Sequence, residues 1–410
     1  MSGRFPCPRG RRALTVQAAA LLALIAIARP LAAQTPDETV ANASVKLGPL
    51  ALTPVLAVTD VGYDSNVFYT TPSQGDFTAT VAPQADLWLR MGRSWLTGRV
   101  KEDFVYFHEF SGERSANGRY AAGWFMPFNR VTVTADASYL NTRERQGFDI
   151  DARSRRIERE VGGALAFVAS SKTSLSVLGH RQTVSYDQSA VYAGSSLSQE
   201  LDRTSTTAGV NVRHAVTPLT SVSLEVSRTR DRFEFSPLRD SDSTRVMAGI
   251  QLDASALIHG SGSFGYRRFV PLSAGVPGFD GVNWTADLEY TALVWTRLSF
   301  QATRDIQYSY DATQPYYVQT GFSGAWGQQI HGPVGVTLRG GLQHLDYQSL
   351  SPVLIGDSAD TVHTVGGGVE YRLGKDTKLF FNVDRQQRSS RDLAREYSGV
   401  KCTTSFTYQF

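Results

Sequence analysis

The sequence predicts an all-β fold, a transmembrane antiparallel β-barrel of about 18 strands, an even number. Three observations predict it. Period-two alternation recurs after residue 34, and no stretch there keeps the 3.6-residue period of a helix. Short turns alternate with longer polar connections along the whole length. The chain closes on "TTSFTYQF", in which Phe406, Tyr408 and Phe410 share one face and Ser405, Thr407 and Gln409 the other.

The N-terminus is read first. Arg4, Arg9, Arg11 and Arg12 precede an apolar run over 13–28 and a small-residue exit at Ala32 and Ala33. The run falls short of the ~20 apolar residues of a spanning helix. The order of parts is that of a secretory signal peptide, residues 1–33, cleaved after Ala33 or Gln34. Its removal takes away five arginines and no acid, so the formal charge of +3 becomes −2. The basic balance of the full chain therefore implies no nucleic-acid partner. Cys7 leaves with the leader and Cys402 remains alone, so no internal disulfide staples the exported chain. Residues 34–53 form a short, Pro-punctuated periplasmic lead-in, and 54–410 form the barrel.

The strands follow. "RVTVTADASYL" sets Val131, Val133, Ala135, Ala137 and Tyr139 against Thr132, Thr134, Asp136 and Ser138. "VNWTADLEY", "MAGIQLDA" and "KLFFNVDR" repeat the pattern, each with one apolar and one polar face. Tight turns are expected at 92–94, 128–130, 170–172, 217–219, 259–261, 294–296, 331–333 and 374–376. Longer connections include "FSGERSANG", "YDQSAVYAGSSLSQ", "PLSAGVPGFDG" and "SPVLIGDSAD". Eight short turns alternating with nine longer loops join eighteen strands, with no helical insert.

A soluble propeller or sandwich and a transmembrane barrel both accommodate so many strands. The asymmetry of the connections favours the barrel, whose periplasmic turns are short and outer loops long. Trp88, Trp95, Trp124, Trp295 and Trp326 lie near the short turns. Tyr63, Tyr69, Tyr106, Tyr139, Tyr308, Tyr310 and Tyr347 lie toward the loops, giving two interfacial girdles. In lipid every backbone group must be paired, so the last strand has to close against the first. Phe406, Tyr408 and Phe410 then face lipid, and a terminal aromatic strand resembles the signal by which barrel assembly machinery recognises such chains.

One stretch is more specific. "VKLGPLALTPVLAVTDVGYDSNVF" carries Gly48-Pro49, Pro54 and Tyr63-Asp64-Ser65-Asn66-Val67-Phe68. It resembles the opening of the beta-barrel porin type 2 family, whose members often accompany exopolysaccharide export. In that family the Gly-Pro precedes the first strand and Asp-Ser-Asn-Val-Phe ends it. The remainder matches as a strand rhythm with Arg-bearing ascending strands such as "SRTRDRF", "GYRRF" and "ATRDIQYSYD". Arg228 and Arg304 fall on the outward parity, where cations suit an anionic lipopolysaccharide surface. A bulge would turn them into the lumen.

Other motifs lose their chemistry in context. Gly260, Gly262 and Gly265 of "GSGSFG" match a dinucleotide fingerprint by letter, but "SFGYRRFV" runs on as a strand, so they read as turn residues. The seven histidines form no zinc pattern. "YDSNVF" reads as turn chemistry, with a bound calcium as the alternative. No nucleophile elbow occurs, so no enzyme, cofactor or metal is expected.

By parity the lumen includes Asp86, Arg99, Lys101, Asp103, Asp136, Arg213, Glu225, Asp253, Asp287, Glu289, Arg339, Glu370, Arg372, Lys378 and Asp384. Gly162, Gly366 and Gly368 leave room inside. Mixed signs without a strip of one charge disfavour a strongly ion-selective pore. They suit a hydrated, neutral or weakly charged chain. The expectation is an outer-membrane channel passing exopolysaccharide outward, its partners being lipid, lipopolysaccharide, the polysaccharide and a periplasmic export protein. A diffusion porin for small hydrophilic solutes and an adhesin-like barrel are the alternatives.

Overall fold

The computed structural model describes residue 40 and residues 43–292, 295–350, 358–374 and 376–410. The expected leader lies outside these, as do residues 34–39, 41 and 42 of the lead-in, most of the 351–360 connection, and residues 294 and 375 of two expected turns.

Eighteen strands close into one antiparallel barrel. They are Leu50–Asp64 (β1), Asp76–Met91 (β2), Ser94–Phe107 (β3), Ser115–Pro127 (β4), Val131–Thr142 (β5) and Arg156–Val168 (β6). Thr173–Tyr186 (β7), Arg203–Thr217 (β8), Thr220–Phe233 (β9), Ser241–Leu252 (β10), Ile258–Pro271 (β11) and Phe279–Ala292 (β12) follow. Thr296–Tyr308 (β13), Tyr316–His331 (β14), Val334–Gln348 (β15), Ala359–Leu373 (β16), Thr377–Ser389 (β17) and Tyr397–Gln409 (β18) complete the wall. A short strand, Val45–Leu47, folds back on β1 through the left-handed Gly48. The first stave thus begins at Leu50, inside the expected lead-in.

Alternation sets the two faces. On β9, Val222, Leu224 and Val226 are exposed to the outside, while Ser221, Ser227 and Asp231 are buried within. The outward face of each stave carries the apolar band, because lipid replaces water there. Phe406, Tyr408 and Phe410 share that outward parity, with Tyr408 and Phe410 exposed and their rings edge to face at 4.7 Å.

β18 pairs with β1 from Val55↔Gln409 to Asp64↔Lys401, and the Phe410 N–H reaches the Pro54 carbonyl at 3.2 Å. A bulge between Val58 and Val61 places Asp60 in the left-handed region at φ 56°, where its carboxylate accepts from Lys401 Nζ at 2.7 Å. The "YDSNVF" motif finishes the seam. Buried Asn66 donates its amide to the carbonyls of Thr70 (2.9 Å) and Ser398 (3.1 Å) and accepts the Thr70 N–H at 3.1 Å. Its donors and acceptor are taken by backbone, which is the turn chemistry the sequence implies.

Four expectations need correction. The turn placed at 259–261 lies instead at 253–257, where Asp253 caps the Ser255 N–H at 2.9 Å. Gly260, Gly262 and Gly265 are strand residues of β11. Gly260 has φ 125° and Gly265 backs onto the Val246 carbonyl, so close strand approach, not a turn, requires them. The 187–202 connection holds a two-residue hairpin and a five-residue helix, Leu197–Leu201, contrary to a helix-free array. Trp88 and Trp95 have inward parity, opposite Thr97 and Arg90, so they leave the turn-side girdle, where outward Trp124 and Trp326 and exposed Trp295 remain; Tyr308, Tyr310 and Tyr347, packed inward, likewise leave the loop-side girdle.

Candidate conduction path and its closure at the loop end

The inward face is a set of ion pairs, some within one stave and some between staves, because period two brings every second side chain of a stave and its cross-strand neighbours onto one face. Asp86 holds Arg99 at 2.5 Å, and Lys101 holds Asp103 at 2.9 Å. Glu289 meets Arg297 at 2.8 Å, and Glu370 meets Arg372 at 2.7 Å. Arg339 forks onto both oxygens of Asp384, at 2.6 and 2.7 Å, and reaches Asn382 at 3.1 Å. Arg213 donates to Ser221 at 2.9 Å. Asp136, Glu225, Asp287 and Lys378 share the inward parity, whereas Asp253 sits in a turn below the wall. Such half-exposed pairs add little stability, roughly 0–1 kcal/mol each. Their effect is to cancel any strip of one sign.

The expected room at the glycines is taken up. A Cβ on Gly366 would strike the Asp384 carboxylate, and one on Gly368 the Asn382 amide. These glycines make space for the Arg339 cluster.

The loop end is where sequence reasoning falls short, because there the lumen is filled. Pairing of β12 with β13 runs from Ala292↔Thr296 to Trp284↔Arg304 and stops, although both strands continue. Beyond that point the β13–β14 hairpin leans across the lumen. Asp305 binds Arg267 of β11 at 2.5 Å and Arg245 of β10 at 2.7 Å. The Tyr308 hydroxyl donates to Asp231 of β9 at 2.8 Å, and Ile306 and Tyr316 pack on Phe269 and Val276.

The 143–155 connection, here the strap, crosses from β5–β6 toward β15–β18. Tyr347 of β15 donates its hydroxyl to Asp149 at 2.7 Å, and the Tyr310 N–H donates to the same carboxylate at 3.2 Å. Arg388 of β17 donates to Asp151 at 2.8 Å, to the Phe148 carbonyl at 2.8 Å, and to Asp360. Arg395 binds Asp149 at 2.8 Å and Asp360 at 3.3 Å. Ile150 packs among Val184, Tyr186, Leu197, Leu201 and Tyr310. Arg388 and Tyr347 are 1% and 0% exposed, so the latch is dry.

Charge balance explains why a dry latch holds. Burial works to lower the Arg395 pKa, but the Tyr347 phenol and the Asp149 and Asp360 carboxylates outweigh it and raise it. Burial pushes the Tyr192 hydroxyl up to about 12 and raises that of Tyr310, so both phenols stay neutral as strap contacts. The parity rule could have found Arg388, Asp360, Arg245 and Asp305, which sit inward on their strands. Nothing periodic marks Asp149 or Asp151, which lie in a connection.

Arg228 and Arg304 point outward, and no bulge reverses them. Arg228 pairs with Asp242 at 2.8 Å; Arg304 lies 5.5 Å from the Trp284 ring centroid and donates to Thr320 at 2.7 Å.

A family model described as "Putative beta-barrel porin 2" matches residues 41–410. No curated protein matches. Among solved structures, a BenF-like porin from Pseudomonas fluorescens Pf-5 is similar at TM-score 0.50 and 9% identity, over 89% of this chain and 100% of that one. OpdK of Pseudomonas aeruginosa, solved with vanillate, gives 0.48 and 9% over 88% and 99%. The FrpB iron transporter of Neisseria meningitidis gives 0.42 and 11% over 86% and 64%. At these identities the likeness speaks to the fold alone.

Proposed function

The chain belongs to the beta-barrel porin 2 family, and on that premise we propose that this porin-like outer-membrane channel passes exopolysaccharide out of the cell. The family and the similar structures are porins and transporters rather than enzymes. The observation that carries the finer reading is the strap. A barrel for free diffusion needs a standing opening, whereas this mouth is crossed by a buried latch from Asp149 and Asp151 to Arg388 and Arg395. A polymer driven from the periplasmic side supplies the work to displace it. The paired, mixed-sign wall suits a hydrated chain that must not be held by one charge.

The test is secretion. Deleting the gene is expected to lower extracellular polysaccharide and leave uptake of small sugars unchanged. Ser299→Trp puts bulk on the inward face of β13 and is expected to mimic the deletion, while Leu298→Trp, facing lipid, is expected to be mild. If deletion spares secretion and alters only small-solute permeability, the barrel is a diffusion porin instead.

A further inference from the structure

The outside of the barrel carries a cluster of charge at the loop-side edge of its apolar band. On β6–β11 the band ends at Val161, Val177, Val210, Val226 and Tyr266, all exposed. One to three outward positions nearer the loop end, the side chains become Arg159, Arg181, Arg228, Arg230, Arg232 and Arg268. Register places them in three adjacent rows: Arg159 opposite Thr183, with Thr204 opposite Arg232; Arg181 opposite Thr206, itself opposite Arg230; and Arg228 opposite Thr244, itself opposite Arg268.

Two acids answer the six arginines within these rows. Asp242 takes Arg228 and Arg232, each at 2.8 Å, and Asp280 stands 3.9 Å from Arg268. Arg181 and Arg230 have no ion pair or hydrogen bond among the described residues, and the strand between them presents a threonine. The β1–β4 wall differs: its outward residues toward the loops include Tyr63, Phe77, Phe104, Tyr106 and Tyr120. The basic surface is therefore one-sided and just above the apolar band, at the depth of the outer-leaflet head groups.

We propose that the outward face of β6–β11 binds the phosphate groups of an outer-leaflet glycolipid, its acyl chains lying on the valine and leucine band below. Arginine suits this task because its planar fork grips phosphate oxygens through two hydrogen bonds. The apolar band below selects a lipid over a soluble phosphate.

Folded full-length barrel in detergent is tested with bisphosphoryl lipid A, with lipid A stripped of phosphate, and with phosphatidylglycerol. Bisphosphoryl lipid A is expected to remain bound through purification and to raise the temperature at which the barrel loses its heat-modifiable gel shift. Dephosphorylated lipid A is expected to do neither, and 0.5 M salt to weaken the first by about tenfold or more. Arg181→Gln with Arg230→Gln is expected to lose at least tenfold in retention, while Arg385→Gln, outward on β17, leaves it unchanged. The gel shift identifies a variant that fails to fold, in which case Arg159→Gln with Arg268→Gln replaces the first pair. Equal binding of dephosphorylated lipid A, equal binding by the variants, or phosphatidylglycerol binding as strong as lipid A overturns the assignment.

Discussion

Asn66 shows how a single side chain can decide closure. It is 1% exposed, and its amide serves Thr70 and, across the seam, Ser398. Asn66→Ala orphans those partners at roughly 1–3 kcal/mol for each buried group left unpaired. The gel-shift melting temperature is expected to fall by several degrees; an unchanged value would show that the seam does not depend on the amide. Asp202 makes a prediction about pH. Burial lifts its carboxyl to about 6, against the pull of the Tyr186 N–H it accepts at 2.7 Å. A carboxyl raised in the fold binds more protons there than in the open chain between pH ~4 and 6. Its stabilising contribution is therefore complete below that window and lost as pH rises through 6. Protection factors in 187–202, corrected for the intrinsic pH dependence of exchange, are expected to be higher at pH 5 than at 7.5, and Asp202→Asn to flatten the difference. A difference that persists in the variant assigns it to another group.

The elements were legible to unequal degrees, and the physics explains which. Staves in lipid must alternate, so strand faces could be read directly, as at Val131–Thr142 and Thr377–Ser389. Turn chemistry misled at Gly260, since glycine serves both a turn and a close strand approach and only the partner strand distinguishes them. The inward wall charges followed from parity, but the latch did not. Which loop folds inward is decided by contacts such as Asp149 with Tyr347, 198 residues apart, and local pattern holds no trace of them. Element-level closure is testable at the terminus. Phe410→Ala removes an exposed outward aromatic beside Tyr408, so less heat-modifiable barrel is expected in the outer membrane while export to the periplasm continues. Unchanged assembly would remove the insertion-signal reading.

At the scale of the whole molecule, a wall of eighteen staves surrounds a lumen whose turn half is lined by paired charges and whose loop half is packed. By the rule that outer-membrane barrels keep their short turns in the periplasm, the short turns are expected to face the periplasm and the strap to face out. A cysteine at Gly275, in a Cys402→Ala background, is expected to react with an impermeant thiol probe on intact cells, and one at Arg93 is not. Labelling in the opposite sense would invert the barrel. The central claim is that the strap shuts this channel at rest. Breaking one side of a buried ion pair costs about 3–5 kcal/mol, enough to move a closed-to-open ratio by a factor of a hundred or more. The direct measurement is single-channel conductance in a planar bilayer, wild type against Asp149→Asn with Asp151→Asn. The wild type is expected to open briefly and seldom, and the variant to stay open with a larger mean conductance. A wild type that conducts steadily, at the level of the variant, would contradict the closure.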